Sequence, residues 1–138
     1  MSERGLESLQ VWRKAQNVAV LVCRDIVTGF PEDEKWSLSS QLRRSVQSIP
    51  ANIAEGFGRY YFQEGIRNSY IARGSLDETY SHLNLANRLG YINKDQFESV
   101  KTQLQEVRKM LNGYIRFLKE SKRGISELGA GIGSEQSL

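Results

Sequence analysis

The stretch "SIPANIAEGFGR", residues 48–59, decides how the fold is read. The apolar spacing on both sides of it is helical, yet it holds Pro50, Gly56 and Gly58. Proline inside a helix removes one hydrogen bond and clashes one turn back, at a cost of about 3 kcal/mol. Pro50 frees the carbonyl of Val46 and is expected to bend the helix or divide it into two nearly continuous pieces, with Ser48 capping the second. Gly56 falls on the apolar seam, where a missing side chain lets a neighbouring helix come close, and Gly58 suits a left-handed helix end. These are packing devices. A phosphate-cradling reading of "GFG" fails, because no strand pattern precedes it and no Gly-Lys-Ser/Thr comes after it.

Working outward, four segments carry helical periodicity. The first runs from about Glu7 to Thr28, with Leu9, Trp12, Ala15, Ala19, Val22, Cys23 and Ile26 on one side. Gly29, Phe30 and Pro31 stop it, and an acidic "EDE" leads into the next N-terminus. The second spans about Ser37 to Phe57, with Leu38, Leu42, Ser45, Ile49, Asn52 and Gly56 in its seam, widened by Val46 and Ile53. The third spans about Phe62 to Leu89 through Ile66, Ser69, Arg73, Leu76, Tyr80 and Leu83, and Gly90 closes it. The fourth starts after Asn93, a suitable N-cap, and runs to about Ser121 on an unbroken heptad stripe: Phe97, Val100, Leu104, Val107, Leu111, Tyr114 and Leu118. No stretch alternates with period two. The expected fold is all-α, an antiparallel up-down-up-down four-helix bundle over residues 1–123, with helix 2 bent at Pro50. The Gly/Ser-rich residues 124–138 read as a flexible tail.

Composition sets further bounds. At 138 residues, with 39% hydrophobic and 25% charged residues, the chain fits one globular domain. A single cysteine, Cys23, allows no intrachain disulfide, which suits a reducing cytoplasm. The N-terminus shows no secretory h-region. The longest apolar run, Val18–Cys23, is far short of the roughly 20 residues that span a bilayer, so no membrane partner is expected. That same run leaves the first helix apolar nearly all round, with Val20, Leu21 and Val27 pointing away from its seam. Either the core stripe is wide, or these residues form an oligomer interface, and the extent of the apolar surface favours the interface.

Most enzyme chemistries fail on inventory. His82 is the only histidine, which excludes a di-iron bundle with its two Glu-x-x-His motifs and leaves Glu78 and His82 a poor metal site. No nucleophile-elbow motif accompanies it. No catalytic residues, metal or cofactors are therefore expected. Arg73, on a seam position, needs a counter-charge if buried; Glu55 near the end of helix 2 is the expected structural ion-pair partner, and Asp77 the competing one.

The blocks "FPEDEKWSLSSQLRRSVQSIPANIAEGFGR" (30–59), "ARGSLDE" (72–78) and "LGYI" (89–92) together resemble the four-helix-bundle family of 23S rRNA-intervening-sequence proteins. The resemblance covers about Leu6 to Leu118. It implies an antiparallel bundle that assembles with itself as a homopentamer, in bacterial proteins encoded inside 23S rRNA gene insertions or as stand-alone genes. The family is similar to the accessory variability protein of diversity-generating retroelements, a basic pentamer that binds nucleic acid and a reverse transcriptase. RNA or DNA, and a protein such as a reverse transcriptase, are the partners so implied. It brings no catalytic residues. The sequence departs from the pattern mildly, with Ser45 where a small apolar residue is common and a glycine-rich tail that has no counterpart.

Charge supplies the functional expectation. The formal net charge is +3, yet residues 94–123 hold eight basic and four acidic side chains. Lys101 and Arg108 share one heptad column, Lys109 and Arg116 the next, while Glu98, Glu106 and Glu120 keep to another flank. Such a stripe is either a solvated face balanced by neighbouring acids or a surface that meets phosphates, which ring assembly would multiply. Arg43, Arg44 and Arg59 would extend it. No base-reading motif is present, so binding is expected to be electrostatic and weakly sequence-specific. The alternative from another class is a protein-binding adaptor with no nucleic-acid contact.

Overall fold

The computed structural model describes residues 5–58 and 62–128, with side chains through residue 121. Among the described residues four α-helices form a bundle: α1 (Gln10–Leu21), α2 (Leu38–Phe57), α3 (Phe62–Arg88) and α4 (Lys94–Leu128). Each packs on its neighbours in sequence, α1 closes against α4, and α2–α3 is the most extensive pair. Side-chain contacts fix the direction of two pairs. From α2 to α3, Ser45 meets Thr79 and Ser48 meets Ser75, so residue numbers rise on one helix as they fall on the other. From α3 to α4, Arg73 meets Asn112 and Asp77 meets Arg108 in the same antiparallel sense. The connection after α1 and the connection after α3 lie at one end, where Phe30 and Tyr91 pack with ring centroids 5.5 Å apart.

The core is the expected apolar seam. Leu42, Ile49, Ile53, Leu83, Leu104 and Leu111 are buried to within 1% of complete, each worth roughly 1.5–3 kcal/mol relative to exposure. On α4 every heptad residue is buried except Tyr114, which stands half-buried while Ile115 takes the inner place. Burial pushes the Tyr114 hydroxyl above its ordinary pKa. The backbone of α4 continues to Leu128, past the expected start of the tail. Residues 129–138, which hold the rest of that tail, lie outside the described residues.

Pro50 does not divide α2, which runs unbroken from Leu38 to Phe57 with the proline ring buried. Ser48 caps nothing: its hydroxyl lies 2.8 Å from that of Ser75 and accepts from the Asn52 amide at 2.9 Å. Gly58 is right-handed, at φ −83°, so its value is not in a left-handed turn. Gly56 behaves as its place on the seam suggests. A Cβ there would sit 2.8 Å from Asn68 Cβ and 3.2 Å from the backbone of Gly65, so two glycines hold α2 and α3 backbone to backbone. Farther along the same interface the small polar side chains take over. Ser45 donates to the Leu42 carbonyl at 3.2 Å. The Thr79 hydroxyl shares its proton between Ser45 Oγ at 2.9 Å and the Ser75 carbonyl at 2.8 Å. Both residues are buried, and no buried side-chain polar atom among the described residues lacks a partner.

The ends of α3 and α4 obey local rules. Gly90, at φ +81°, ends α3: its N–H bonds to the Asn87 carbonyl and that of Tyr91 to Ala86, the paired bonds of a Schellman motif. Asn93 and Gln96 cap α4 reciprocally, side chain to backbone, at 2.7 and 2.9 Å. Glu34 joins the two connections at this end, accepting from the Leu38 N–H at 3.2 Å and from the Tyr91 hydroxyl at 2.7 Å. That hydrogen bond, more than burial or charge, holds the Tyr91 hydroxyl above its ordinary pKa.

The first helix departs from the expected pattern. After Leu21 it widens into a π-turn over Val22–Ile26, and the Val27 N–H bonds to the Val22 carbonyl, five residues back. The added residue in that turn rotates the next residues about the helix axis, so both Ile26 and Val27 enter the core. Val27 is 3% exposed and is not the outward-facing interface residue that an uninterrupted helix implies. Leu21 is half-buried against the core, and of the three only Val20, 51% exposed, faces outward.

The glycine contact yields a prediction. Gly56→Ala should destabilise the protein by about 1–3 kcal/mol despite alanine's higher helix propensity, because the new methyl forces α2 from α3. Urea denaturation measures it; a neutral or stabilising effect would mean that the helices are not held at this distance.

Candidate nucleic-acid interface

The structure separates the cations that the sequence groups together. On α4, Arg108 is ion-paired with Asp77 of α3. Lys101 lies with its ammonium 5.9 Å from the Phe97 ring centroid, over the α3–α4 seam. Lys109 and Arg116 turn the other way and are exposed beside Lys14 of α1. There Lys14 is paired with Glu106 at 2.8 Å, the acid nearest this group. In one column Arg108 is thus committed to α3 and Lys101 lies over Phe97 of its own helix, while the other column is free to meet solvent.

Arg43 and Arg44 are both exposed on α2. Because α2 packs on α1 and α3, and α4 packs on those same two helices, α2 and α4 lie across the bundle from each other. The two arginines therefore form a second cationic face and do not extend the α4 stripe. Arg59 lies outside the described residues. Arg43 and Arg44 line a cleft of about 580 Å³ together with Lys35 and Trp36, on the turn that enters α2. Trp36 is 83% exposed, with the Lys35 ammonium 5.2 Å from its ring centroid. Sequence reasoning misses this indole. Its signal is a tryptophan in a polar turn, outside any periodic seam.

The Glu55–Arg73 ion pair is not formed. The register that sets Ser48 against Ser75 places Arg73 level with Pro50, about one and a half helical turns from Glu55. Glu55 is exposed on α2, whereas Arg73 reaches toward α4. There it donates to Asn112 Oδ1 at 2.8 Å, with its guanidinium carbon 4.8 Å from the Tyr70 ring centroid. Asp77, the competing partner, pairs with Arg108 instead. Lys119 approaches the Tyr70 ring as well, at 5.3 Å.

The remaining reactive side chains are engaged locally. His82 Nε2 lies 3.3 Å from Glu78 Oε2, one turn away on α3. The Cys23 thiol is half-buried and accepts from Gln47 at 3.8 Å. Among the described residues no three His, Cys, Asp or Glu side chains converge as metal ligands, and no helix is long and apolar enough to cross a membrane.

Such a molecule belongs to the class of small all-helical bundles. The sequence matches the family model for the 23S rRNA-intervening sequence protein over residues 7–113, and the chain belongs to that family. It is also similar to a crystal structure of a protein of unknown function from the S23 ribosomal protein family of Bacteroides thetaiotaomicron VPI-5482. The two share 30% sequence identity with a TM-score of 0.68, over 76% of this chain and 97% of that one. No curated protein matches the sequence.

The relocation of Arg73 is open to test by double-mutant cycles. Arg73→Gln with Asn112→Ala should show coupling of about 1 kcal/mol, the size of a single hydrogen bond. Arg73→Gln with Glu55→Gln should be additive within about 0.5 kcal/mol. Coupling in the second cycle and none in the first would restore the pair that the sequence suggests.

Proposed function

We propose that this protein is a non-catalytic, homo-oligomeric accessory factor that binds RNA or DNA through phosphate contacts, with the pentamer its family resemblance implies as the working assembly. One observation carries the reading. Arg43, Arg44, Lys109 and Arg116 are exposed, and none has a side-chain hydrogen bond or ion pair among the described residues. Structural arginines in this bundle, Arg73 and Arg108, do find partners. Unpaired cations on two faces of a subunit, repeated by symmetry, produce a field suited to a polyanion and carry no base-reading geometry. Val20, left exposed on α1, supports a contact between copies.

The protein-adaptor reading has its own support in Leu85 and Leu89, exposed at 47% and 49% one turn apart on the last part of α3 and its C-cap. A salt titration separates the two. The unmutated protein should run as an oligomer in light scattering and bind RNA and DNA at low salt with little sequence preference. Changing Arg43, Arg44, Lys109 and Arg116 to glutamine removes four charges from solvent-facing positions, so the fold should survive. Affinity should drop, and for duplex DNA the salt slope should flatten by about 0.9 for each phosphate that is no longer neutralised. A control that removes Arg13 and Arg24, already engaged by the Glu7 carbonyl and by Asp25, should weaken binding less for each charge removed. Equal weakening per charge would mean that net charge alone drives binding. No binding by the unmutated protein would favour the adaptor, and a monomer would remove the assembly from the proposal.

A further inference from the structure

The cleft at the entrance to α2 differs from the α4 face in having an aromatic side chain among its cations. Tryptophan is usually among the more buried residues, yet Trp36 presents 83% of its surface to solvent. It stands on the turn between Pro31 and Leu38, with Ser39, Ser40, Arg43 and Arg44 beyond it along the same side of α2. Val27 and Phe30, both buried, supply an apolar floor. The volume of about 580 Å³ lies within the roughly 300–1,000 Å³ of sites that accept small planar groups.

The local acids do not cancel the cations. Glu34 is committed twice, to the Leu38 N–H and to the Tyr91 hydroxyl, which turns it away from the cleft. Glu32 is the one acid that lines it, against Lys35, Arg43 and Arg44. The Lys35 ammonium lies over one face of the indole, and with 83% of Trp36 exposed a base has the other face to stack on.

Taking the nucleic-acid reading above as its basis, we infer that this cleft binds unpaired nucleotides: a base stacks on Trp36 while Arg43 and Arg44 hold the adjoining phosphates. Stacking on an aromatic ring needs a base that has left its helix, so the cleft confers a preference for single strands that the α4 cations do not. Duplex presents the phosphates alone, and its bases are already stacked on each other. The division of labour is therefore α4 for polyanion of any kind and the α2 cleft for unpaired segments.

The test measures binding of a labelled oligouridine and of an RNA duplex of equal length to the full chain at low salt, by anisotropy. Trp36→Leu keeps an apolar side chain and removes the π-face. It should weaken oligouridine binding about tenfold, the size of one stacking interaction, while duplex binding changes less than about twofold. Trp36→Phe should recover most of the affinity. A Trp36→Leu protein with unchanged oligouridine affinity, or with equal weakening on both probes, overturns the inference and leaves the electrostatic reading standing. Failure of the unmutated protein to bind either probe overturns both. If Trp36→Leu instead reduces the size of the assembly in light scattering, the indole is a contact between copies and the inference falls.

Discussion

The close approach of α2 and α3 is the constraint on which the rest of the bundle depends. At Gly56 and Gly65 the two backbones touch without intervening side chains, and two to four turns away Ser45, Ser48, Ser75 and Thr79 bridge the same interface by hydrogen bonds. Small residues give proximity and hydroxyls give register. A purely apolar interface could slide by a helical turn at modest cost, but a slide here would break the Thr79–Ser45 and Ser48–Ser75 hydrogen bonds that cross it, worth about 0.5–1.5 kcal/mol each. The register so fixed keeps Arg73 away from Glu55, and across the other face of α3 Arg73 meets Asn112 and Asp77 meets Arg108.

A second fixed point closes the end of the bundle. Glu34 satisfies the N-terminus of α2 and holds Tyr91, whose ring packs on Phe30, so the two connections at that end support each other. The π-turn in the first helix serves the same end, since it brings Val27 inward to the floor of the cleft. The exposed indole and the two unpaired arginines are thus presented from a braced corner of the molecule, which suits a binding surface better than a mobile loop would.

Much of the fold is legible in the sequence because it is written in period. The α4 heptads apart from Tyr114, the Gly90 stop, the Asn93 cap and the seam position of Gly56 each rest on one local rule, and each holds in the structure. The features that escape a sequence reading are those set by geometry between helices. The π-turn leaves no mark on hydrophobic spacing, so spacing alone puts Val27 on the wrong face. Pro50 reads as a bend or a division of the helix, and of these the division does not occur, since α2 is continuous through it. Charge columns on α4 are visible in the sequence, but which column meets α3 and which meets solvent depends on the neighbouring helix, and only the structure shows Arg108 occupied and Lys109 unpaired. Family membership is legible from the blocks around residues 30–59, 72–78 and 89–92, and the family match over residues 7–113 bears it out.

If the α2–α3 interface organises the bundle, its amides should be the last to open. Native-state hydrogen exchange, resolved residue by residue, measures this directly. The account predicts that amides of α2 from Leu42 to Ala54 and of α3 from Ser69 to Leu83 exchange only by global unfolding, while those from Val22 to Gly29 exchange through smaller local openings. Slower exchange in α1 or α4 than in the α2–α3 pair would contradict it.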